Sequence, residues 1–566
     1  MQKQLLLGAE AVAQGAIDAG MSGVYAYPGT PSTEITEYVQ NSEFASDRKI
    51  HSQWSANEKT AMEAALGMSY AGKRAMVCMK HVGLNVAADA FINSAITGVN
   101  GGLVVAVADD PSMHSSQNEQ DSRFFGKFAM IPILEPSNQQ EAYDMAYVGF
   151  DLSEKFKIPV MLRFTTRLSH SRAGVQTKEI KEQNPLTYPE DPIQFVLLPS
   201  NARKRYKGLL AVQESIEVDS EKSKYNIYYK ASSQAELDSA SMDEIPKQSA
   251  SGGRNDNDKV SKNSLGIIAC GIAYNYLMEN YPERNCPYPI LKLGQYPLPY
   301  SNVRRLLNAC EKILVLEDGY PFVEEQLKDY LDKSGKIKGR LDGTIPRDGE
   351  LNPDIVGKAL GKQLKSGRSI PQIVVNRPPE LCSGCSHRDV YLALNETIKE
   401  FGKQKVFSDI GCYTLGALPP WNSINSCVDM GASITMAKGA ADAGVRPSVA
   451  VIGDSTFTHS GMTALLDCVY ENTSVTVIIS DNATTAMTGG QESHATGRLE
   501  EICIGLGVKP EHVRILTPLP KYHDEMVKVL REELTYDGVS VIIPRRECIQ
   551  TVTRSKKEQK VKEVSN

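Results

Sequence analysis

The sequence predicts an α/β protein built on open parallel sheets, and three observations carry that reading. Apolar runs of strand length recur along the chain, separated by helix-forming or polar stretches. Several of these runs stop in a loop dense in functional groups, and in parallel sheets that edge is where ligands sit. The chain also holds 43 glycines, many directly after an apolar run, as tight strand-to-helix turns require. Its 566 residues suit about three domains.

In chain order, MQKQLLLGAEAVAQGAIDAGM reads as an amphipathic helix with no cleavage signal. The first segment, 1–185, has strands at VYAYPGT (Val24–Thr30), RAMVCMK (Arg74–Lys80), GLVVAVADD (Gly102–Asp110) and IPVMLRFTT (Ile158–Thr166). Its strand-end loops are PGTPSTE, HVGLN and DDPSMHSSQNEQD. From 186 to 262 the chain turns polar and irregular, and 232–262 has so few large apolar residues that a mobile loop is expected. A smaller α/β segment, 263–370, carries LGIIACG and KILVLEDG without a catalytic cluster and reads as structural or docking. The third segment spans 371–548, and the charged tail 549–566 reads as a frayed, solvated end.

The richest stretch lies in that third segment. VAVIGD (Val449–Asp454) is a buried parallel strand delivering a carboxylate, a helix crosses back over 460–470, and SVTVIIS (Ser474–Ser480) ends in Asp481-Asn482. Asp454 and Asn482 are 28 residues apart, the length of one βαβ unit, so both side chains reach one sheet edge. A hard cation such as Mg²⁺ takes one or two protein oxygens and fills its octahedron with phosphate and water. Asp454, Asn482 and the Thr484 carbonyl suit it, and Gly489-Gly490 lets backbone amides approach an anion. The stretch GDSTFTHSG to DNATTAMTGGQ is similar to the diphosphate and magnesium half of a thiamine diphosphate site.

Bulk composition excludes other classes. Net charge is −6 and no dense Lys/Arg block precedes the tail, so nucleic acid is not an expected partner. No stretch approaches 18 uninterrupted apolar residues, so a soluble, cytoplasmic enzyme without a membrane span is expected. Eleven dispersed cysteines point to reduced thiols or metal ligands, not a disulfide framework. Cys382 and Cys385 form a CxxC, and with His387 they offer three zinc ligands. Cys78, Cys270, Cys310, Cys427, Cys468 and Cys503 read as buried small hydrophobes, and Cys286 as a polar-loop residue with no evident partner.

Seven motifs carry a family resemblance: YPGTPSTEI (Tyr27–Ile35), WSANEKTA (Trp54–Ala61), MKHVGLNVAAD (Met79–Asp89), DDPSMHSSQNEQD (Asp109–Asp121), CSGCSHR (Cys382–Arg388), SDIGCYTLG (Ser408–Gly416) and the 453–491 stretch. Together they resemble the alpha subunit of indolepyruvate:ferredoxin oxidoreductases, over about residues 5 to 548. The resemblance implies two thiamine diphosphate-binding-fold domains, pyrimidine type (1–185) and diphosphate type (371–548), flanking a transketolase C-terminal-like domain (263–370). It implies thiamine diphosphate, Mg²⁺ and one [4Fe–4S] cluster as cofactors. Glu58 matches the carboxyl that bonds the cofactor's pyrimidine nitrogen, with Glu63 a nearby alternative. Thr30 is similar to a substrate-contacting threonine, and His81, His114 and His459 are further candidates for the catalytic site. Gly453, Ser455, Cys412 and Tyr413 join Asp454, Asn482, Thr484, Gly489 and Gly490 as cofactor-binding positions.

For the cluster the resemblance implies Cys382, Cys385, Cys412 and Cys548, four thiolates as the count demands. It implies oxidative decarboxylation of an aryl 2-oxoacid with coenzyme A, a smaller gamma-like (beta) subunit, ferredoxin or another acceptor, and an α2β2 assembly with two alpha chains facing each other. The family's alpha subunit continues into a ferredoxin-like segment, whereas this sequence stops 18 residues after Cys548, so distal clusters are expected elsewhere. Non-oxidative decarboxylation and a zinc-bearing scaffold with a vestigial thiamine pocket remain the alternatives.

Overall fold

The computed structural model describes residues 3–565 except 188, 192–193, 196, 198, 232–262, 332–335, 347–348, 364–370, 376–379, 403–404, 428–429 and 443. The chain divides into two compact units, Met1–Gly367 and Arg368–Asn566. The architecture is α/β in both.

The first unit holds a seven-stranded sheet. From one edge its strands run Gln295–Tyr296, Ile133–Leu134, Val160–Thr165, Leu103–Asp109, Ala75–Lys80, Gly23–Ala26 and His51–Trp54. All pair in parallel except Gln295–Tyr296 at the edge. Successive residues of one strand alternate between two cores: Val104 and Ala106 face a core shared with helices Gly8–Asp18 and Gln139–Phe156, and Leu103 and Val105 face one shared with Glu58–Tyr70 and Ala88–Thr97. Burial on both faces explains why these strands read as unbroken apolar runs. Each such Val or Leu contributes about 1.5–3 kcal/mol relative to exposure.

A second sheet in the same unit runs Ile337–Lys338, Cys310–Leu316, Asn263–Cys270, Ile290–Leu293 and Ile227–Tyr229, the last antiparallel. Buried ion pairs tie it to the first sheet. Arg163 bonds Asp109 at 2.8 Å and Glu135 at 2.7 Å and donates to the Asp318 carbonyl, while Arg123 bonds Asp121 at 2.5 Å and Glu317 at 3.0 Å.

The second unit has one five-stranded, wholly parallel sheet: Val406–Ser408, Val449–Gly453, Val475–Ser480, Val539–Pro544 and Val513–Leu516. Here too alternate residues feed two cores, Ala450 and Ile452 on one face and Val449 and Val451 on the other.

Several local expectations change. The amino terminus does not begin as a helix, because Lys3–Leu7 is a strand paired antiparallel with Arg172–Gln176, and the helix starts at Gly8. The polar stretch after 186 is not irregular throughout: it holds helices Pro199–Ala211 and Gln213–Glu221 and the strand Ile227–Tyr229. The loop expected over 232–262 lies outside the described residues. The tail is helical, Ile549–Ser565. Cys427 is exposed and not a buried hydrophobe, because its neighbourhood is loop. Cys286 is buried against Tyr281, so the polar residues around it concealed an anchored side chain.

Candidate active site

In the second unit the parallel strands bring four loops to one edge. Val406–Ser408 leads into Cys412, Val449–Gly453 into Asp454, Val475–Ser480 into Asn482, and Val539–Pro544 into Cys548. Asp454 is 2% exposed, and its Oδ2 is buried with no hydrogen-bond partner among the described residues. Burial, and then the charge of Asp481, pushes its carboxyl up to about 7. An unsatisfied buried carboxylate oxygen is costly unless a cation claims it, and a hard divalent ion would satisfy it together with the Asn482 amide oxygen. The residues therefore fit Mg²⁺.

The backbone beside Asp454 and Asn482 is held in place. Asn482 Oδ1 accepts from the Thr484 N–H at 3.2 Å, Thr484 Oγ1 donates to the Gln491 carbonyl at 2.9 Å, and the Ser455 and Thr485 hydroxyls meet at 2.8 Å. Gly489 and Gly490 have φ of 123° and 94°, values that L side chains rarely adopt. Arg554 Nη1, from the tail helix, donates to the Gly489 carbonyl at 2.7 Å. Tyr413 packs where a Cβ on Gly453 would come within 2.7 Å of its ring, and its hydroxyl bonds Asp409. His459 is buried in a π-helical turn, Phe457–Gly461, with Nδ1 2.5 Å from Ser460 Oγ. Such turns recur at functional sites.

Cys382, Cys385, Cys412 and Cys548 line one cavity of about 340 Å³ with Asn482, Gly489 and Gly490. The thiols feel one another. Burial pushes Cys412 up to about 12, with charge on Cys385, Cys548 and Cys382 acting in the same direction, and Cys385 is raised by burial and then by Cys382 and Cys548. Four soft donors from three chain segments around one space fit an iron–sulfur group. Among the described residues no three His, Cys, Asp or Glu side chains converge on a single metal-ion position.

The first unit gathers a second set of groups at the corresponding edge of its large sheet. Glu58 is the first residue of helix Glu58–Tyr70, 5% exposed, in a turn capped by Asn57, whose Oδ1 accepts from the Thr60 N–H at 2.8 Å. A Cβ on Gly83 would lie 2.6 Å from Glu58 Oε1, so only glycine leaves that carboxyl its place. His81 opens helix His81–Val86, with Nε2 3.2 Å from the Asn118 carbonyl and Nδ1 buried without a hydrogen-bond partner among the described residues. Burial, and then the Lys80 charge, pushes its ring down to about 4. Thr30 is half-buried, and its carbonyl accepts from Ser115 Oγ at 3.3 Å. His114 is set apart, exposed and paired with Glu350 at 3.3 Å.

Sequence reasoning missed Lys80. It is 8% exposed, donates to the Ser115 carbonyl at 2.7 Å, lies 4.0 Å from Asp110 and feels the Glu58 charge; burial pushes it down to about 8. A lysine closing the buried run AMVCMK was the available signal. His387, weighed only as a zinc ligand, is buried with Nδ1 3.2 Å from Cys385 Sγ.

Residues 14–234 match the family model described as pyruvate flavodoxin/ferredoxin oxidoreductase, thiamine diP-bdg. Residues 409–543 match the thiamine pyrophosphate enzyme, C-terminal TPP binding domain. The chain is 38% identical over 586 residues to indolepyruvate oxidoreductase subunit IorA of Archaeoglobus fulgidus, covering 99% of this chain and 88% of that one. It is 36% identical to the subunit of the same name from Thermococcus kodakarensis, covering 97% and 86%. A solved 2-oxoglutarate:ferredoxin oxidoreductase from Magnetococcus marinus superposes with a TM-score of 0.47 at 15% identity, covering 63% of this chain and 65% of that one, too loosely to inform residue roles. Among the described residues no helix is long and apolar enough to cross a membrane. The chain belongs to the indolepyruvate oxidoreductase IorA family of thiamine diphosphate-dependent 2-oxoacid oxidoreductases.

Proposed function

We propose that this chain is the catalytic subunit for oxidative decarboxylation of an aryl 2-oxoacid, indolepyruvate-like, to its acyl-coenzyme A and CO₂. When bound, thiamine diphosphate supplies a carbanion for attack on the ketone, and a [4Fe–4S] cluster supplies a one-electron acceptor. The chain's own residues set up both. Asp454, Asn482 and the Thr484 carbonyl would hold Mg²⁺, with Gly453, Ser455 and the Gly489–Gly490 turn available to the diphosphate. Glu58 presents a carboxyl to the pyrimidine nitrogen from the first turn of its helix. Thr30 and His81 orient the substrate's oxygens, the neutral His81 ring serving as a hydrogen-bond partner and not a cation. His459 would stand beside the reacting end of the cofactor when it is bound, while His114, held by Glu350, would serve at the rim of its loop.

One observation carries the redox half of the reading: Cys382, Cys385, Cys412 and Cys548 share a cavity with Asn482 and Gly489–Gly490. Thiols spread around a volume, with no three donors among the described residues converging on one point, suit a multi-iron cluster better than tetrahedral zinc. Electrons then leave for ferredoxin or another acceptor. A smaller gamma-like (beta) subunit completes the enzyme in an α2β2 assembly with two alpha chains facing each other. Anaerobic purification with the partner subunit, iron and sulfide analysis, and a 2-oxoacid panel with viologen dye test the proposal. Coenzyme A-dependent dye reduction by aryl 2-oxoacids is expected. A colourless, iron-free enzyme that releases aldehyde would overturn it.

A further inference from the structure

His387 lies in the cysteine cavity with an unusual balance of partners. It is 2% exposed, lines the cavity, and follows Cys385, the N-cap of helix Ser386–Ile398, by two positions. Its Nδ1 is 3.2 Å from Cys385 Sγ, and its Nε2 is buried with no hydrogen-bond partner among the described residues. A neutral imidazole carries a single ring proton, on one nitrogen or the other.

Where that proton sits follows from the partners. On Nε2 it would be a stranded buried donor, and Nδ1 would have to accept from a thiol. On Nδ1 it donates to sulfur and leaves unsatisfied only the Nε2 lone pair. A metal-ligating cysteine is a thiolate with no proton to give, so once Cys385 is a ligand only the Nδ1–H tautomer makes this hydrogen bond. Fixing a tautomer through the bond its other nitrogen makes, or lacks, is how outer-shell residues tune metal groups.

We propose that His387 sets the reduction potential of the cluster by donating Nδ1–H to Cys385 Sγ, an inference that rests on the four-cysteine reading above. One electron enters and no proton moves; the ring keeps its proton throughout. Reduction raises negative charge on the ligating sulfur, and a donor to a charged acceptor stabilises that state more than the oxidised one. The positive end of the thirteen-residue helix behind Cys385 acts in the same direction. His387 is thus a positioning residue acting through Cys385, and not a ligand.

The test compares wild type, His387→Phe, which keeps a ring without the donor, and His387→Asn, whose amide N–H stands near the Nδ1 position. Each is purified anaerobically with its partner subunit, assayed for iron and sulfide, and titrated under EPR. His387→Phe is expected to hold about tenfold less reduced cluster at fixed poise, a fall of about 59 mV for one electron, and His387→Asn to recover most of it. Equal shifts in Asn and Phe, or no shift in Phe, would overturn the tuning role. If Phe does not load iron, wild type bearing nitrogen-labelled histidine decides: a nitrogen coupling to the reduced cluster is expected, and its absence overturns the proposal. An iron-free wild type would overturn the four-cysteine reading itself, a result separate from any shift in potential.

Discussion

Gly83→Ala adds a single carbon beside the proposed activating carboxyl, and its consequences can be worked from the geometry. The new Cβ would stand 2.6 Å from both Cγ and Oε1 of Glu58, whereas ordinary contact begins near 3.4 Å, so something must give by about 0.8 Å. Backbone and side chain do not give equally. Gly83 lies in a helix packed at the strand end, while the Glu58 carboxyl is the far end of a flexible side chain, so the carboxyl moves. The fold should therefore lose little, at or below the low end of the 1–3 kcal/mol typical of overpacking. Catalysis should lose far more, because a displacement near 1 Å in a positioned group costs about 100-fold.

The assay is dye-linked 2-oxoacid oxidation by the purified complex, with thermal unfolding in parallel. A fall of about 100-fold in kcat with a nearly unchanged Tm is expected. The double variant Glu58→Gln/Gly83→Ala sharpens the test, since a glycine acting only through Glu58 should add nothing once that carboxyl is gone. A Gly83→Ala enzyme with wild-type kcat would refute the placement of Glu58 at the reacting cofactor. A double variant much slower than Glu58→Gln would refute the claim that Gly83 acts through it.

Three further outcomes follow from the same structure. Arg163→Met leaves Asp109 buried without its ion-pair partner and Glu135 with only the longer Arg123 contact at 3.6 Å and the Tyr296 hydroxyl, and should cost about 3–5 kcal/mol in chemical denaturation, with Arg163→Lys intermediate. His81 is pushed down to about 4 from an ordinary 6.5, so the unfolded chain binds its proton first as pH falls. Its contribution, about 3 kcal/mol, is complete above pH about 6.5 and lost on descending to about 4, and His81→Leu should flatten that limb of the stability curve. Arg554→Ala removes the bond to the Gly489 carbonyl; calorimetry should show magnesium–thiamine diphosphate binding several-fold weaker with Tm unchanged.

Legibility followed how local each signal was. The strands ending at Gly453 and Ser480 were readable because burial on both faces demands an unbroken apolar run. Lys3–Leu7 was not, because its partner Arg172–Gln176 is far along the chain and QLLLGAEAVA on its own has helical spacing. Helices Pro199–Ala211 and Gln213–Glu221 bury little apolar surface beyond Leu209 and Ile216, too little to print a period on the sequence. The exposed Cys427 and buried Cys286 were misread for the complementary reason: neighbours along the chain do not report what packs across it.

The candidate site divides along the same line. Asp454, Asn482, Gly489 and Gly490 could be proposed from the chain alone because a diphosphate-and-cation site of this kind, built on consecutive strand ends, would be a nearly contiguous object. The cysteines are separated by up to 166 residues, from Cys382 to Cys548, and only parallel strand order brings Cys412 and Cys548 to a common edge with Asn482. Residues that act through others left the faintest trace. Gly83 matters for the atom it lacks, Lys80 for the loop carbonyl it holds, and His387 for a proton whose position depends on whether Cys385 is a thiol or a thiolate. None of these is a property of residue type or spacing. Each is fixed by a contact of 2.6, 2.7 or 3.2 Å, so the supporting shell of this site must be read from its fold even where the chemistry-bearing residues can be read from the chain.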